Sequence, residues 1–243
     1  GVSAEAGLKE TENYGRLEYS FSELVKRCGI EMTECSLIEE NGRAHFMTKR
    51  FDREDGKKVH MQTLCGMAHY DFRLQRGYSY EQAFNVMRRL RLPYSQAQEM
   101  FRRIVFNVVL RNQDDHTKNI SFLMNPDGQW RLSPAYDMGF AYNPAGAWTK
   151  THQMSINGKF DDLTRKDLLE CAAINNIKNA SEIIDQICEA ASGWPNLAKE
   201  CGVLENPMKV APSIRRENDP RFRSGKISFR SSFGALVSDT MRV

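Results

Sequence analysis

Three residues in the middle of the chain carry the strongest chemical signal: Asp114, Asn119 five positions later, and Asp137 within Ala135-Tyr136-Asp137-Met138-Gly139. Phosphoryl transfer from ATP needs a carboxylate that orients an attacking hydroxyl and accepts its proton, and hard oxygen ligands that hold Mg²⁺ against the phosphates. In kinase-type sites the Asp of a D-x-x-x-x-N loop does the first job. The Asn of that loop, with an Asp beyond the following hairpin, does the second. Asp114 is therefore the candidate base, and Asn119 and Asp137 are the candidate metal ligands. Lys118 could neutralise charge on the transferred group, and His116 could brace the loop by hydrogen bonds. The two-residue pattern by itself is common in turns, where Asp and Asn bond nearby backbone. Its order here sets it apart, with an apolar helix before it, a tight hairpin after it and a second Asp beyond.

Those residues need elements to position them. Ile104 to Leu110 is apolar on most sides, which predicts a buried central helix that delivers the Asp114 loop. Ile120 to Met124 reads as a strand, and Asn125-Pro126-Asp127-Gly128 turns the chain back into Trp130 to Leu132. Upstream, Leu17 to Cys28 has helical apolar spacing and stops at Gly29. Asn41-Gly42 joins two β-like runs into a hairpin, Cys35 to Ile38 and Ala44 to Lys49. Val59 to His69 is expected as a helix. Ser79-x-x-Gln82 and Ser95-x-x-Gln98 have the capping-box form, and three more helices are expected to start near Thr164, Asn179 and Trp194-Pro195.

The 243 residues are 41% apolar and 27% charged, ordinary values for a globular protein, which argues against a disordered polymer. No run approaches the roughly 18 apolar residues of a membrane span, and the first residues lack signal-peptide order, so the chain reads as cytoplasmic. Six scattered cysteines, with no C-x-x-C pair, support neither structural zinc nor a disulfide framework. The formal charge of +3 is unevenly spread, because residues 205–243 hold eight Lys/Arg against four acids. That segment also has three prolines and little periodicity, and it reads as a basic tail that is solvated or touches nucleic acid.

The stretch Asn112 to Ser121 (NQDDHTKNIS), the later Leu132-Ser-Pro-Ala-Tyr-Asp137 and the upstream Lys49-Arg-Phe-Asp-Arg53 together resemble the HipA family of serine/threonine kinase toxins from bacterial toxin–antitoxin systems. The resemblance spans about residues 15–203. It implies an α+β, mostly helical fold, a protein-kinase-like C-lobe with a small β hairpin and hinge region. In domains, residues 1–52 would be a remnant of the N-lobe plus the hinge, 53–204 the C-lobe, and 205–243 the tail. Asp114 would be the catalytic base, Asn119 and Asp137 would hold Mg²⁺, and Lys49, Phe51 and Asp52 would form a hinge meeting the adenine of ATP. Gln62 and Tyr136 would line the nucleotide pocket. The implied partners are a protein substrate such as an aminoacyl-tRNA synthetase and an antitoxin, with DNA reached only through the antitoxin and no membrane.

Relatives place a phosphate-covering loop and a strand lysine ahead of the helix that begins here near Arg16, and no such segment fits into the residues before it. The N-lobe is thus expected to be largely absent. Glu18 matches a lysine-pairing glutamate that would lack its partner, and activity is expected to be weak. Two other readings stay open. One is a catalytically inactive remnant acting as an antitoxin- or nucleic-acid-binding module, and the other is a small-molecule phosphotransferase.

Overall fold

The structure is a computed structural model, and it describes residues 9–203. The basic tail and the first eight residues lie outside them. α1 (Lys9–Arg27) crosses the hairpin β1 (Cys35–Glu40) and β2 (Arg43–Thr48), whose turn has Asn41 and Gly42 both at positive φ, as a two-residue hairpin turn requires. Helix and hairpin touch at Gly15, where a Cβ would lie 2.0 Å from the Ala44 carbonyl oxygen, so only glycine allows the approach. A short ribbon follows, β3 (Arg53–Glu54) with β4 (Lys57–Lys58).

The expected helix over 59–69 is largely a strand. β5 (His60–Thr63) pairs antiparallel with β7 (Ser121–Met124), which pairs in turn with β8 (Trp130–Leu132). Only α2 (Leu64–Met67) is helical, started by the Thr63 hydroxyl accepting from the Gly66 amide. Pairing with β7 overrides the local helical spacing, because a central strand supplies backbone partners that an isolated short helix lacks.

Beyond a loop, β6 (Tyr78–Ser79) leads into α3 (Tyr80–Arg89), which has the full Ser79/Gln82 capping box. α4 (Tyr94–Leu110) starts one residue before Ser95, with Pro93 at its N-cap and no side-chain cap, so the second expected capping box does not form. Pro93 already sets the entry, and its carbonyl accepts from the Gln96 amide at 3.0 Å. α4 is the central buried helix: Ile104 to Phe106 and Val108 to Leu110 have no exposed surface. β9 (Met154–Ser155) pairs in parallel with β6. α5 (Arg165–Ile174), α6 (Ala180–Ser192) and α7 (Trp194–Glu200) complete the core, and Trp194 stacks on Phe21 of α1 at 4.9 Å. No described helix is long and apolar enough to cross a membrane.

Candidate active site

α4 ends at Arg111, which takes the left-handed conformation (φ 52°) and lays its guanidinium over the Tyr142 ring at 4.2 Å. The chain then folds back on itself. The His116 amide donates to the Asp114 carbonyl (2.9 Å), the Asn119 amide to the His116 carbonyl (2.9 Å), and Asn119 Nδ2 to the Asp114 carbonyl (3.0 Å). In this tight loop Asp114 and Asp115 point in opposite directions, Asp114 outward and Asp115 into the core.

Asp137 arrives from the other side. The β7–β8 hairpin returns the chain, the buried Arg103 donates to the Ser133 carbonyl at 2.8 Å, and the Ala135 amide donates to the Glu31 carbonyl at 2.7 Å. Asp137 sits at φ 57°, a strained value for a non-glycine residue of the kind that gathers at functional sites. Asn112 Nδ2 donates to its carbonyl at 3.3 Å and so ties the two loops together.

Asp114 and Asp137 line one hollow of about 370 Å³, walled by Glu18, Leu17 and Phe21 of α1, by Phe46 of β2, and by Met138 and Phe140. Its electrostatics follow from this crowding. Partial burial raises the Asp114 carboxyl above the ordinary aspartate range, His116 pulls it down, and the Asp137 and Asp115 charges push it up again. Glu18 is raised by burial and then by Asp137. Among the described residues no ion pair holds Glu18.

His116 stands beside Asp114, its Nε2 3.9 Å from Asp114 Oδ1, and among the described residues its buried Nδ1 has no partner. Lys118 turns away from the hollow and places its ammonium 4.0 Å from the centre of the Phe72 ring. Asn119 borders a small chamber behind the loop with Asp115, Asn107, Asn112 and the apolar Met100, Ile120 and Met138. Tyr136 donates to the Lys118 carbonyl at 2.6 Å and packs against Phe51 at 5.5 Å. The hinge candidates lie on the far side of Tyr136 and do not line the hollow. The Lys49 amide is engaged by the Glu34 carbonyl (2.9 Å), and Gln62 lies in β5 opposite Phe122. Asp52 is gripped by Arg50 and Arg53, and the hydrogen bonds from Arg50 lead in lowering its carboxyl to about 2.

A set of supporting residues had no role in the sequence reading of the site. Asp115, nearly without exposure, accepts from the Tyr80 hydroxyl (2.7 Å), from His152 Nδ1 (2.8 Å) and from the Gln153 amide (2.7 Å). Tyr80 accepts from Asn107 Nδ2 (2.9 Å), and Asn107 Oδ1 accepts from Asn112 (3.0 Å), whose amide also reaches the Asp137 carbonyl. One buried chain of hydrogen bonds therefore joins the Asp114 loop to the Asp137 loop. Asn107, the polar residue within the apolar run Ile104 to Leu110, was the sequence signal for it.

Among the described residues no three His, Cys, Asp or Glu side chains form a metal cage. Mg²⁺ does not need one, because it uses one or two carboxylates together with substrate phosphates and water. Asp137 offers an open carboxylate, and the bond from Asn119 Nδ2 leaves Oδ1 as the free donor atom of that side chain. Of the two candidate ligands, Asp137 lines the hollow, whereas Asn119 borders the chamber behind the loop.

Comparison with known proteins identifies the family and the fold. A family model described as the HipA-like C-terminal domain matches residues 4–194. The chain belongs to that family. Among curated proteins it resembles one named "Putative kinase" from Haemophilus influenzae, 28% identical over 134 residues, and "Putative kinase Y4mE" from Sinorhizobium fredii, 25% identical over 125 residues. The matches cover 49% and 47% of this chain but only 39% and 30% of those proteins. Among solved structures, HipA of Shewanella oneidensis MR-1, in a complex with HipB and operator DNA, aligns with a TM-score of 0.63 at 19% identity, over 84% of this chain and 53% of that one. The Helicobacter pylori proinflammatory kinase CtkA aligns at 0.54 and 14% identity, over 86% and 84%. The fold is thus α+β and shared with HipA and CtkA.

Proposed function

We propose that this HipA-like chain carries the base-bearing and metal-bearing side of a serine/threonine protein kinase that moves the γ-phosphate of ATP to a protein hydroxyl. The observation that carries the reading is the convergence of Asp114 and Asp137 on one hollow, joined by Asn112. Asp114 orients the acceptor hydroxyl and takes its proton as the oxygen attacks phosphorus. Its raised proton affinity suits that task. Asp137 and Asn119 would hold Mg²⁺, which when bound neutralises phosphate charge. His116 steadies the Asp114 loop, and Lys118 would have to swing off the Phe72 ring to meet the transferred group. Tyr136 and the Lys49–Asp52 hinge, with Gln62, would take the base of the nucleotide.

The division into hinge and C-lobe, the cytoplasmic setting and an antitoxin partner belong to the same proposal. The HipA of Shewanella oneidensis was solved with HipB and operator DNA, which supports the partner, with DNA contact through it. A synthetase-like protein is the substrate class proposed from the family resemblance.

Transfer of labelled γ-phosphate to protein, compared between the chain, Asp114→Ala and Asp137→Ala, tests the site. Activity in the parent chain that falls at least about 100-fold in both variants is expected, together with loss of Mg²⁺-dependent ATP binding in Asp137→Ala. Equal transfer in all three overturns the catalytic assignment. ATP binding that is absent in the parent favours the inactive binding module.

A further inference from the structure

We propose that Phe72 is a positioning residue for Lys118, holding its ammonium at the edge of the Asp114 loop and away from the carboxylates. This deepens the phosphotransfer reading and rests on it only for the role of Lys118.

Lys118 forms no ion pair among the described residues, although Asp114 lies close enough for the two charges to interact. Its ammonium instead rests over the Phe72 ring, 4.0 Å from the ring centre. Phe72 is half exposed, an unusual place for a large apolar ring unless the ring has a partner or a task.

The loop that presents Phe72 is tied at several points. Tyr70 and Tyr78, which flank it, stack at 4.1 Å. The Tyr78 hydroxyl accepts from the Asp71 amide at 2.6 Å, and Asp71 in turn accepts from both the amide and the guanidinium of Arg73. The Leu74 amide donates to the Asp71 carbonyl (3.0 Å), and Arg76 Nη2 donates to Thr151 (3.3 Å). The loop is also joined to the catalytic loop: the Cys65 amide donates to the Thr117 carbonyl at 3.1 Å, while the Cys65 carbonyl and thiol hold Tyr70.

The Lys118 backbone is pinned on the other side by the Tyr136 hydroxyl. A lysine with a fixed backbone and a ring under its ammonium occupies one arc of positions. Were it free, an ion pair with Asp114 would occupy the acceptor for the hydroxyl proton. Resting on Phe72, the ammonium leaves Asp114 open.

The test uses the full 243-residue chain with side-chain NMR of Lys118, assigned by the signal lost in Lys118→Met. The ε-methylene protons are expected upfield of ordinary lysines through the ring current. That displacement should vanish in Phe72→Leu and persist in Phe72→Trp. An ordinary shift in the parent chain, or an unchanged one in Phe72→Leu, overturns the proposal.

In phosphate transfer, Phe72→Leu is expected to lower kcat about two- to fivefold, the range of an exposed cation–π contact, with KM for ATP unchanged. Phe72→Trp should restore it, and Phe72→Leu added to Lys118→Met should do no further harm. Losses that multiply in the double variant overturn the coupling. If no variant transfers phosphate, the kinase reading fails, and the NMR shift still decides the placement of Lys118.

Discussion

Replacing Asp115 by alanine should destabilise the chain far more than replacing its neighbour Asp114. Asp115 and His152 are each about 1% exposed in their side chains, and Asp115 accepts from three donors, at 2.7, 2.8 and 2.7 Å. Alanine would strand the Gln153 amide and His152 Nδ1 in the interior and leave the Tyr80 hydroxyl with Asn107 alone. A buried group without its partner costs about 1–3 kcal/mol, and breaking a buried polar pair about 3–5 kcal/mol. The expected loss is about 3–5 kcal/mol, a large share of the roughly 5–15 kcal/mol that usually stabilises a domain. In urea unfolding followed by circular dichroism, with a slope of about 1–3 kcal/mol per molar, the midpoint should fall by about 1–5 M. Tyr80→Phe, which removes the hydroxyl shared by Asp115 and Asn107, should cost about 1–2 kcal/mol. Combined with Asp115→Ala it should cost less than the sum, because both act on one network. An Asp115→Ala midpoint equivalent to under about 1 kcal/mol of loss would mean that water reaches these donors, and the bracing role would be wrong.

Two further outcomes concern charge. Asp137→Asn removes a like charge facing Asp114, so the Asp114 carboxyl, followed by carbon NMR, should titrate at lower pH than in the parent. Because Asp114 binds its proton more tightly folded than unfolded, its contribution to stability fades as pH rises from about 3.8 through the folded value, and Asp137→Asn should flatten that decline. An unmoved titration would place the two carboxylates too far apart to share a substrate. At the start of α5, burial raises Asp167, but hydrogen bonds from Lys159 and from the side chain and amide of Thr164 together bring it below the ordinary value. Its stabilisation is present above about pH 3.8 and lost as pH falls through the folded value. Asp167→Ala should cost about 1–2 kcal/mol at pH 7 and little near pH 2, and a pH-independent loss would exclude the capping-box assignment.

The site was legible where chemistry is written in residue type and spacing. The buried helix ahead of Asp114 and the hairpin between Asn119 and Asp137 could be read directly, because apolar periodicity and turn residues act over a few positions. The Asn41-Gly42 hairpin, the Ser79 capping box and the starts of α5, α6 and α7 were legible for the same reason. The 59–69 segment was misread because its strand exists only through β7, some sixty residues away. Ser95 was misread as a cap because Pro93 decides the entry of α4.

What the sequence by itself determined is the set of groups that could bear the reaction and the local elements that carry them. Only the tertiary structure decided which of two adjacent aspartates faces the hollow and which holds the core. It also decided that Lys118 rests on Phe72, and that the hinge residues stand apart from the carboxylates. The physical reason is range: turns and helix faces follow from neighbours in the chain, whereas burial, hydrogen-bond satisfaction and the crowding of like charges depend on elements that meet only after the whole chain has packed.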